Sequence, residues 1–276
     1  MSDLEWNEKE IELLREVFPH LAQQLRFSMA NLFLAAGRIA TPEAREKDPA
    51  LDANAAALTM SYYQMLRLLG NLTDAGSLLK ETPLLLSNND IVGLCREICQ
   101  KAEGLFALKG VTLSFQSDLQ SHIVACNAAA VERLLLNLLS NALLYTPKGG
   151  SVTLGVRVAK DNVLISVSDT GCGIAQDKLD TVFSRFLHPE ALDTAPHGMG
   201  LGLALCRRIA LAHGGNLLAQ STLGKGTTFT FSLPSRRTTT QALKTPQFEY
   251  GGGFNHYLVE LSDALPPEAF LQKYLD

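Results

Sequence analysis

Asn137 and Asn141 stand four apart in LLLNLLSNALLY, residues 134–145, a spacing that puts both carboxamides on one face of a helix. Leu135, Leu138, Leu139 and Ala142 supply its buried side. Two amide oxygens one turn apart can hold a hydrated Mg²⁺ that already bridges phosphates; two solvated asparagines on an amphipathic helix share the same spacing. In NVLISVSDTGCGI, 162–174, Val163, Ile165 and Val167 alternate, so Asp169 ends a strand. A carboxylate there can accept a hydrogen bond from an exocyclic amine, and Gly171 and Gly173 let the backbone turn sharply against a ring. A glycine-rich turn after a strand is also common without any ligand. In HGMGLGLALCRRIALAHGG, 197–215, Gly198, Gly200 and Gly202 open a helix whose apolar positions include Leu201, Leu205, Ile209 and Ala212. Such a loop offers free N–H groups and a favourable dipole to a phosphate. It does not follow a strand directly, which fits a dinucleotide fold poorly. LGKGTTFTFSLP, 223–234, is a glycine turn into a strand.

Elements must hold these groups in place. Residues 83–235 alternate helical patterns (90–104, 128–143, 201–213) with five strand candidates, VTLSFQ, SVTLGVRV, NVLISVSD, NLLAQST and TTFTFSLP. Helices sharing a mostly antiparallel sheet make an α+β sandwich. Before them, residues 8–40 carry Ile11, Leu14, Phe18, Leu21, Leu25, Leu32, Ala35 and Ile39 at alternating steps of three and four, broken only at Ser28. Pro19 predicts a kink or a late helix start. TPEAREKDPALD, 41–52, reads as a polar connector, and Leu58, Tyr62, Met65, Leu69, Leu72, Gly76 and Leu79 form a second stripe. The two make a helical hairpin, which either pairs with a second hairpin as a four-helix bundle or packs on the rest of its own chain. Residues 236–276 begin with RRTTT, contain GGGF and end too apolar for simple disorder.

Bulk properties remove several classes. Of 276 residues 46% are hydrophobic and 19% charged, enough apolar material for a packed core. A net charge of −4 offers no basic field for nucleic acid. Cys95, Cys99, Cys126, Cys172 and Cys206 form no CxxC pair, which argues against zinc and disulfides and for a reducing compartment. MSDLEWNEKE is too polar for a secretory signal, and no apolar run reaches the ~18 residues of a membrane span. The expectation is a cytoplasmic protein.

The motifs together, in this order, resemble those of the sensor histidine kinases of the gyrase, heat-shock-chaperone and histidine-kinase ATPase superfamily. NLLSNALLYTP looks like their N box, DTGCGI their G1 box, HGMGLGLALC their G2 box, GKGTTFTFSLP the glycine turn that follows, and VFSRF (182–186) their F box. The resemblance covers residues 58–235, with fainter traces back to residue 11. It implies an N-terminal α-helical hairpin (1–86) forming a dimeric four-helix bundle, then a Bergerat-type α+β sandwich ATP-binding domain (87–235), with 236–276 as an extension. It also implies ATP and Mg²⁺ as cofactors: Asn141 as the Mg²⁺ ligand, Asn137 as a neighbouring phosphate or metal contact, and Asp169 on the adenine amine. Gly171 and Gly173 would shape the adenine pocket, Gly198, Gly200 and Gly202 would line the phosphates, and Thr228 would lie near adenine.

Departures from the family pattern bear on activity. Leu144 stands where the family usually carries Lys or Arg, leaving Lys148, Arg185 or His188 as substitutes. The best match to the phosphoacceptor motif HELRTPL is QQLRFSM, 23–29, where Leu25 and Arg26 hold register. Gln23 replaces the acceptor histidine and Gln24 the acid beside it, and a delocalised carboxamide is neither nucleophile nor general base. His20 is the nearest alternative acceptor, ~4.5 Å along a helix. Phe27 occupies the position where related phosphatases use a polar residue. The expected function is that of an ATP-binding, histidine-kinase-like signalling protein of a two-component phosphorelay. It would be a homodimer whose partner is a response regulator or another kinase. The alternative is a non-catalytic, nucleotide-responsive pseudokinase. A serine kinase of the anti-sigma-factor type shares the boxes but has no need of the two striped helices.

Overall fold

The computed structural model describes residues 8–78, 84–179, 181–183, 201–239 and 255–274. Two compact units divide them, one spanning Met1–Thr82 with Phe270–Asp276 and the other Pro83–Ala269.

In the first unit α1 (Glu8–Ile39) runs through Pro19 without a late start, since a proline removes only one helical N–H. The polar connector contains a short helix, α2 (Pro42–Lys47), which Thr41 caps by accepting from the Ala44 N–H. The return helix is α3 (Pro49–Leu78). The hairpin closes through aromatic contacts: Phe33 stacks on Tyr62 at 4.3 Å, and Tyr63 meets Phe270 at 5.7 Å. Buried Arg45 is held by Asp52 at 2.7 Å and by the Phe270 carbonyl at 3.0 Å. The α3 stripe contributes Tyr62 and Leu69 to the buried side, whereas the described part of the α1 stripe does not. Among the described side chains of α1, from His20 onward, Ala22 and Met29 are buried, whereas Leu25 is 53%, Leu32 72% and Ile39 78% exposed. On α3, Leu58 and Met65 are also exposed. Among the described residues of the hairpin, the α1 stripe from Leu21 to Ile39 is therefore left uncovered by its own unit.

The second unit is a two-layer sandwich. Its elements are β1 (Ser87–Asp90), α4 (Ile91–Leu108), β2 (Thr112–Ser117), β3 (Ile123–Cys126), α5 (Ala128–Tyr145), β4 (Ser151–Ala159), β5 (Asn162–Asp169), α6 (Gln176–Leu179), α7 (Leu201–Ala212), β6 (Asn216–Thr222) and β7 (Gly226–Pro234). Five strands form a mixed sheet in the order β2-β4-β5-β7-β6, with only β2 and β4 parallel, and β1 pairs with β3 in a separate ribbon. Period-two alternation sends Val163, Ile165 and Val167 of β5 and Phe229, Phe231 and Leu233 of β7 into one buried layer. There they meet Leu135, Leu138 and Leu139 of α5, Ile98 and Phe106 of α4, and Cys206 of α7. The other face of the sheet carries hydroxyl pairs, Ser114 with Thr153 and Ser168 with Thr228.

The C-terminal segment divides between the units. Asn255 caps α8 (His256–Leu261), whose Tyr257, Leu258, Val259, Glu260 and Leu261 are buried in the sandwich unit against α5 and α4. Residues from Phe270 onward belong to the hairpin unit.

Candidate nucleotide site

Asp169 ends β5 on the core face and is 9% exposed. Its Oδ1 accepts two backbone N–H groups, from Gly171 at 2.8 Å and from Thr227 at 3.2 Å. Its Oδ2 has no hydrogen-bond partner among the described residues, so one oxygen is fixed by the chain and the other is open to a ligand. Burial raises its pKa above the usual carboxylate value, and the two N–H donors pull in the opposite direction. A cavity of about 270 Å³ opens beside it, lined by Ser221, Thr222, Lys225, Gly226 and Thr227 among others.

The turn after Asp169 is pinned on two sides. Cys172 donates its N–H to the Tyr145 carbonyl and accepts from Gly224 through its own carbonyl at 2.7 Å, while Ile174 N–H reaches Ser221 Oγ at 2.7 Å. Gly171 has to be glycine here because a Cβ would come within 2.5 Å of the Tyr145 carbonyl oxygen. Gly173 faces the Thr222 carbonyl at the same turn. Gly226, which the sequence did not single out, has φ +100°, and a side chain would strike the Asp169 carbonyl.

Alternation on β7 separates two threonines. Thr228 pairs with Ser168 and bonds its hydroxyl at 2.8 Å on the open face of the sheet. Thr227, one residue earlier, shares Asp169's face and touches Ser221 Oγ at 2.9 Å. Thr227 donates its N–H to the carboxylate, and Thr228 lines the same cavity from the open face.

On α5 the two asparagines differ. Asn137 is 1% exposed; its Nδ2 donates to the Arg133 carbonyl at 3.0 Å, and its Oδ1 lies 3.0 Å from where a Cβ on Gly202 would stand. Asn137 thereby joins α5 to the first turn of α7. Asn141, one turn on, is half-buried and has no hydrogen-bond partner among the described residues. The carbonyl end of α5 is capped by Thr146 Oγ1 on Ala142 at 2.6 Å and by Lys109 Nζ on Leu143 and Leu144 at 2.6 and 3.0 Å. Lys109 has no signal in the sequence. Lys148 lies with its methylenes against Gly110. Gly198, Gly200, Arg185 and His188 lie outside the described residues. In the other unit His20, Gln23, Gln24 and Phe27 are all exposed on α1.

The family described as Histidine kinase-, DNA gyrase B-, and HSP90-like ATPase matches residues 126–237, which span α5 to the end of β7. The adaptive-response sensory kinase SasA of Synechococcus sp. (strain JA-2-3B'a(2-13)) is 38% identical over 148 residues, 52% of this chain and 38% of that protein. The sensor histidine kinase WalK of Bacillus subtilis (strain 168) is 44% identical over 107 residues, 38% of this chain and 18% of WalK. The match therefore spans well under half the length of these relatives. Full-length ShkA, solved in complex with AMPPNP, superposes with a TM-score of 0.61 at 25% identity, covering 81% of this chain and 46% of ShkA. The catalytic domain of the histidine kinase ThkA superposes with a TM-score of 0.50 at 25% identity, covering 55% of this chain and 97% of that domain. A helical N-terminal region followed by an ATPase-type domain with a mixed sheet is the class the fold defines. Its ATPase portion, residues 126–237, is thus similar to the corresponding portion of sensor histidine kinases. Among the described residues no helix is long and apolar enough to cross a membrane.

Proposed function

We propose that this chain binds Mg²⁺–ATP and works in two-component signalling as a histidine-kinase-like homodimer whose usual acceptor position no longer accepts phosphate. The observation that carries the nucleotide reading is Asp169, with one oxygen held by two backbone donors and the other open beside a cavity. An open carboxylate oxygen suits the exocyclic amine of adenine. Asn141 supplies an amide oxygen, without a hydrogen-bond partner among the described residues, of the kind a hard cation takes. With ATP bound, the γ-phosphoryl group would be the group available for transfer. Asp169 orients the base, Asn141 and Asn137 face the phosphate end, and Gly198, Gly200 and Gly202 offer backbone donors to the phosphates.

Dimerisation rests on the exposed stripe of Leu25, Leu32, Ile39 and Leu58, more apolar surface than an isolated hairpin leaves to water. A response regulator or a second kinase is the proposed partner, and the free thiols suit a cytoplasmic setting. Gln23 supports the pseudokinase form of this reading. A shifted acceptor is the second reading, favoured by the exposure of His20 three residues away on the same helix. Labelling with γ-³²P-ATP and Mg²⁺, followed by acid and base treatment, separates them. No label supports the pseudokinase, acid-labile label the shifted histidine, and acid-stable label a hydroxyl acceptor.

A further inference from the structure

Glu260 on α8 is fully buried, and its Oε1 accepts from Arg133 Nη1 on α5. One residue earlier on α5, Glu132 Oε1 accepts from the Tyr257 hydroxyl at 3.0 Å. Two consecutive residues of the N-box helix are thus gripped by one short helix from the C-terminal segment. Desolvating such a pair is offset only when its geometry is fixed, so a buried ion pair specifies a position more than it adds stability.

The position it specifies is that of the asparagines. Arg133, Asn137 and Asn141 follow at four-residue steps along one side of α5, ~6 Å apart along the axis. Asn137 Nδ2 donates to the Arg133 carbonyl at 3.0 Å, and Asn137 Oδ1 packs on Gly202 at the start of α7. A continuous line of contacts therefore runs from Glu260 through Arg133 and Asn137 to the helix that the glycine-rich loop opens. Asp169 takes no part in it, because its partners are Gly171 and Thr227. The base end meets α5 at its last residue, Tyr145, about three turns beyond Arg133.

Resting on the Mg²⁺–ATP reading above, we propose that Glu260 is a positioning residue for the metal and phosphate end of the site, fixing α5 through Arg133 so that Asn137 and Asn141 face the phosphates. The test uses the full chain and two variants. Glu260→Gln removes the charge and keeps the shape. The double variant Arg133→Met with Glu260→Met removes both charges and refills the volume, so it remains folded where the single variant does not. Calorimetry measures the Mg²⁺ concentration that half-saturates binding in the presence of ATP, and separately ATP affinity in excess EDTA. The expected result is a selective loss: the Mg²⁺ requirement rises on the order of tenfold, as for an outer-shell partner of a metal ligand, while metal-free ATP affinity is unchanged. Glu260→Asp, which keeps the carboxylate, recovers part of the loss. A contact that merely stabilises the fold would lower Tm and move both affinities together, and that result overturns the inference. Variants that match wild type in both titrations overturn it too. If wild type itself fails to bind Mg²⁺–ATP, the nucleotide reading falls with it; if wild type binds and only the selective loss is missing, Glu260 alone is reassigned.

Discussion

Replacing Asp169 by Asn tests the base end of the site with almost no change of shape. Asn Oδ1 can still accept from Gly171 and Thr227, at 2.8 and 3.2 Å in the wild type. The open Oδ2 becomes an NH₂ donor facing another donor, the adenine amine. The variant loses one hydrogen bond to a charged acceptor and strands a polar group in a buried site, which costs about 1–3 kcal/mol, or about 5- to 150-fold in affinity. A nucleotide with a carbonyl in place of the amine, inosine triphosphate, should then gain on ATP, because the new NH₂ suits an acceptor. Stability should move the other way. Burial raises the Asp169 pKa, so ionising the carboxyl costs folding free energy as pH rises through the folded value, and the neutral amide escapes that cost. The variant should therefore melt no lower than wild type at pH 7. For the same reason wild-type ATP binding should weaken as pH falls through that raised pKa. Isothermal calorimetry with both nucleotides, paired with a melting curve, checks the set. Unchanged ATP affinity and no shift toward inosine triphosphate would refute Asp169 as the base contact.

The pH dependence of stability should report the C-terminal contact as well: burial pushes the Glu132 carboxyl up to about 7. Its stabilisation is full below pH ~4.5 and lost as pH rises through about 7, so the urea midpoint should fall between pH 5 and pH 8 in wild type but not in Glu132→Gln. Leu25→Glu with Leu32→Glu puts charges on side chains 53% and 72% exposed in the single chain. Light scattering should show a dimer become a folded monomer, and a variant that stays dimeric would remove the stripe from the interface. Under identical γ-labelling, Gln23→His should take up acid-labile label that wild type lacks. Label on wild type that His20→Gln abolishes would make His20 the acceptor.

The sheet and its helices were legible because one face of each is buried. Val163, Ile165 and Val167 alternate, and Leu135, Leu138 and Leu139 recur at helical spacing, so pattern alone places β5 and α5. Asp169 was legible for the same reason, since it continues the alternation of its strand. Which of Thr227 and Thr228 bonds Asp169 was not, because a one-residue slip exchanges the faces of a strand and both residues are threonine. The ribbon strand Ser87–Asp90 has no apolar alternation to announce it. Lys109, Glu260 and Tyr257 act through partners 34 or more residues away in sequence, and no local period encodes such pairs. In the hairpin the stripe was visible but its direction was not. Among the described side chains of α1, Ala22 and Met29 are buried while the larger Leu25 and Leu32 are exposed, so the most apolar positions of that helix are not the ones its own unit buries.

The departures at Leu144 and Gln23 differ in kind. On the proposed reading, Leu144 removes a cation from a site that keeps Asp169 and Asn141, so binding persists with a weaker grip on phosphate. On the same reading Gln23 stands where the nucleophile would be, and no rearrangement of a carboxamide restores one. His20 cannot simply take over. On a helix, three residues correspond to about 300° of rotation, which leaves it about 60° round from Gln23 as well as ~4.5 Å along the axis. A catalytic domain delivering phosphate to position 23 must therefore both turn and slide to reach position 20. The helical unit still exposes the apolar stripe proposed for dimerisation and an α1 face carrying Gln23 and Phe27. A dimer that senses nucleotide through one unit and engages a partner through the other needs no phosphoryl transfer of its own. The chemistry of position 23 favours that arrangement over a kinase with a displaced acceptor.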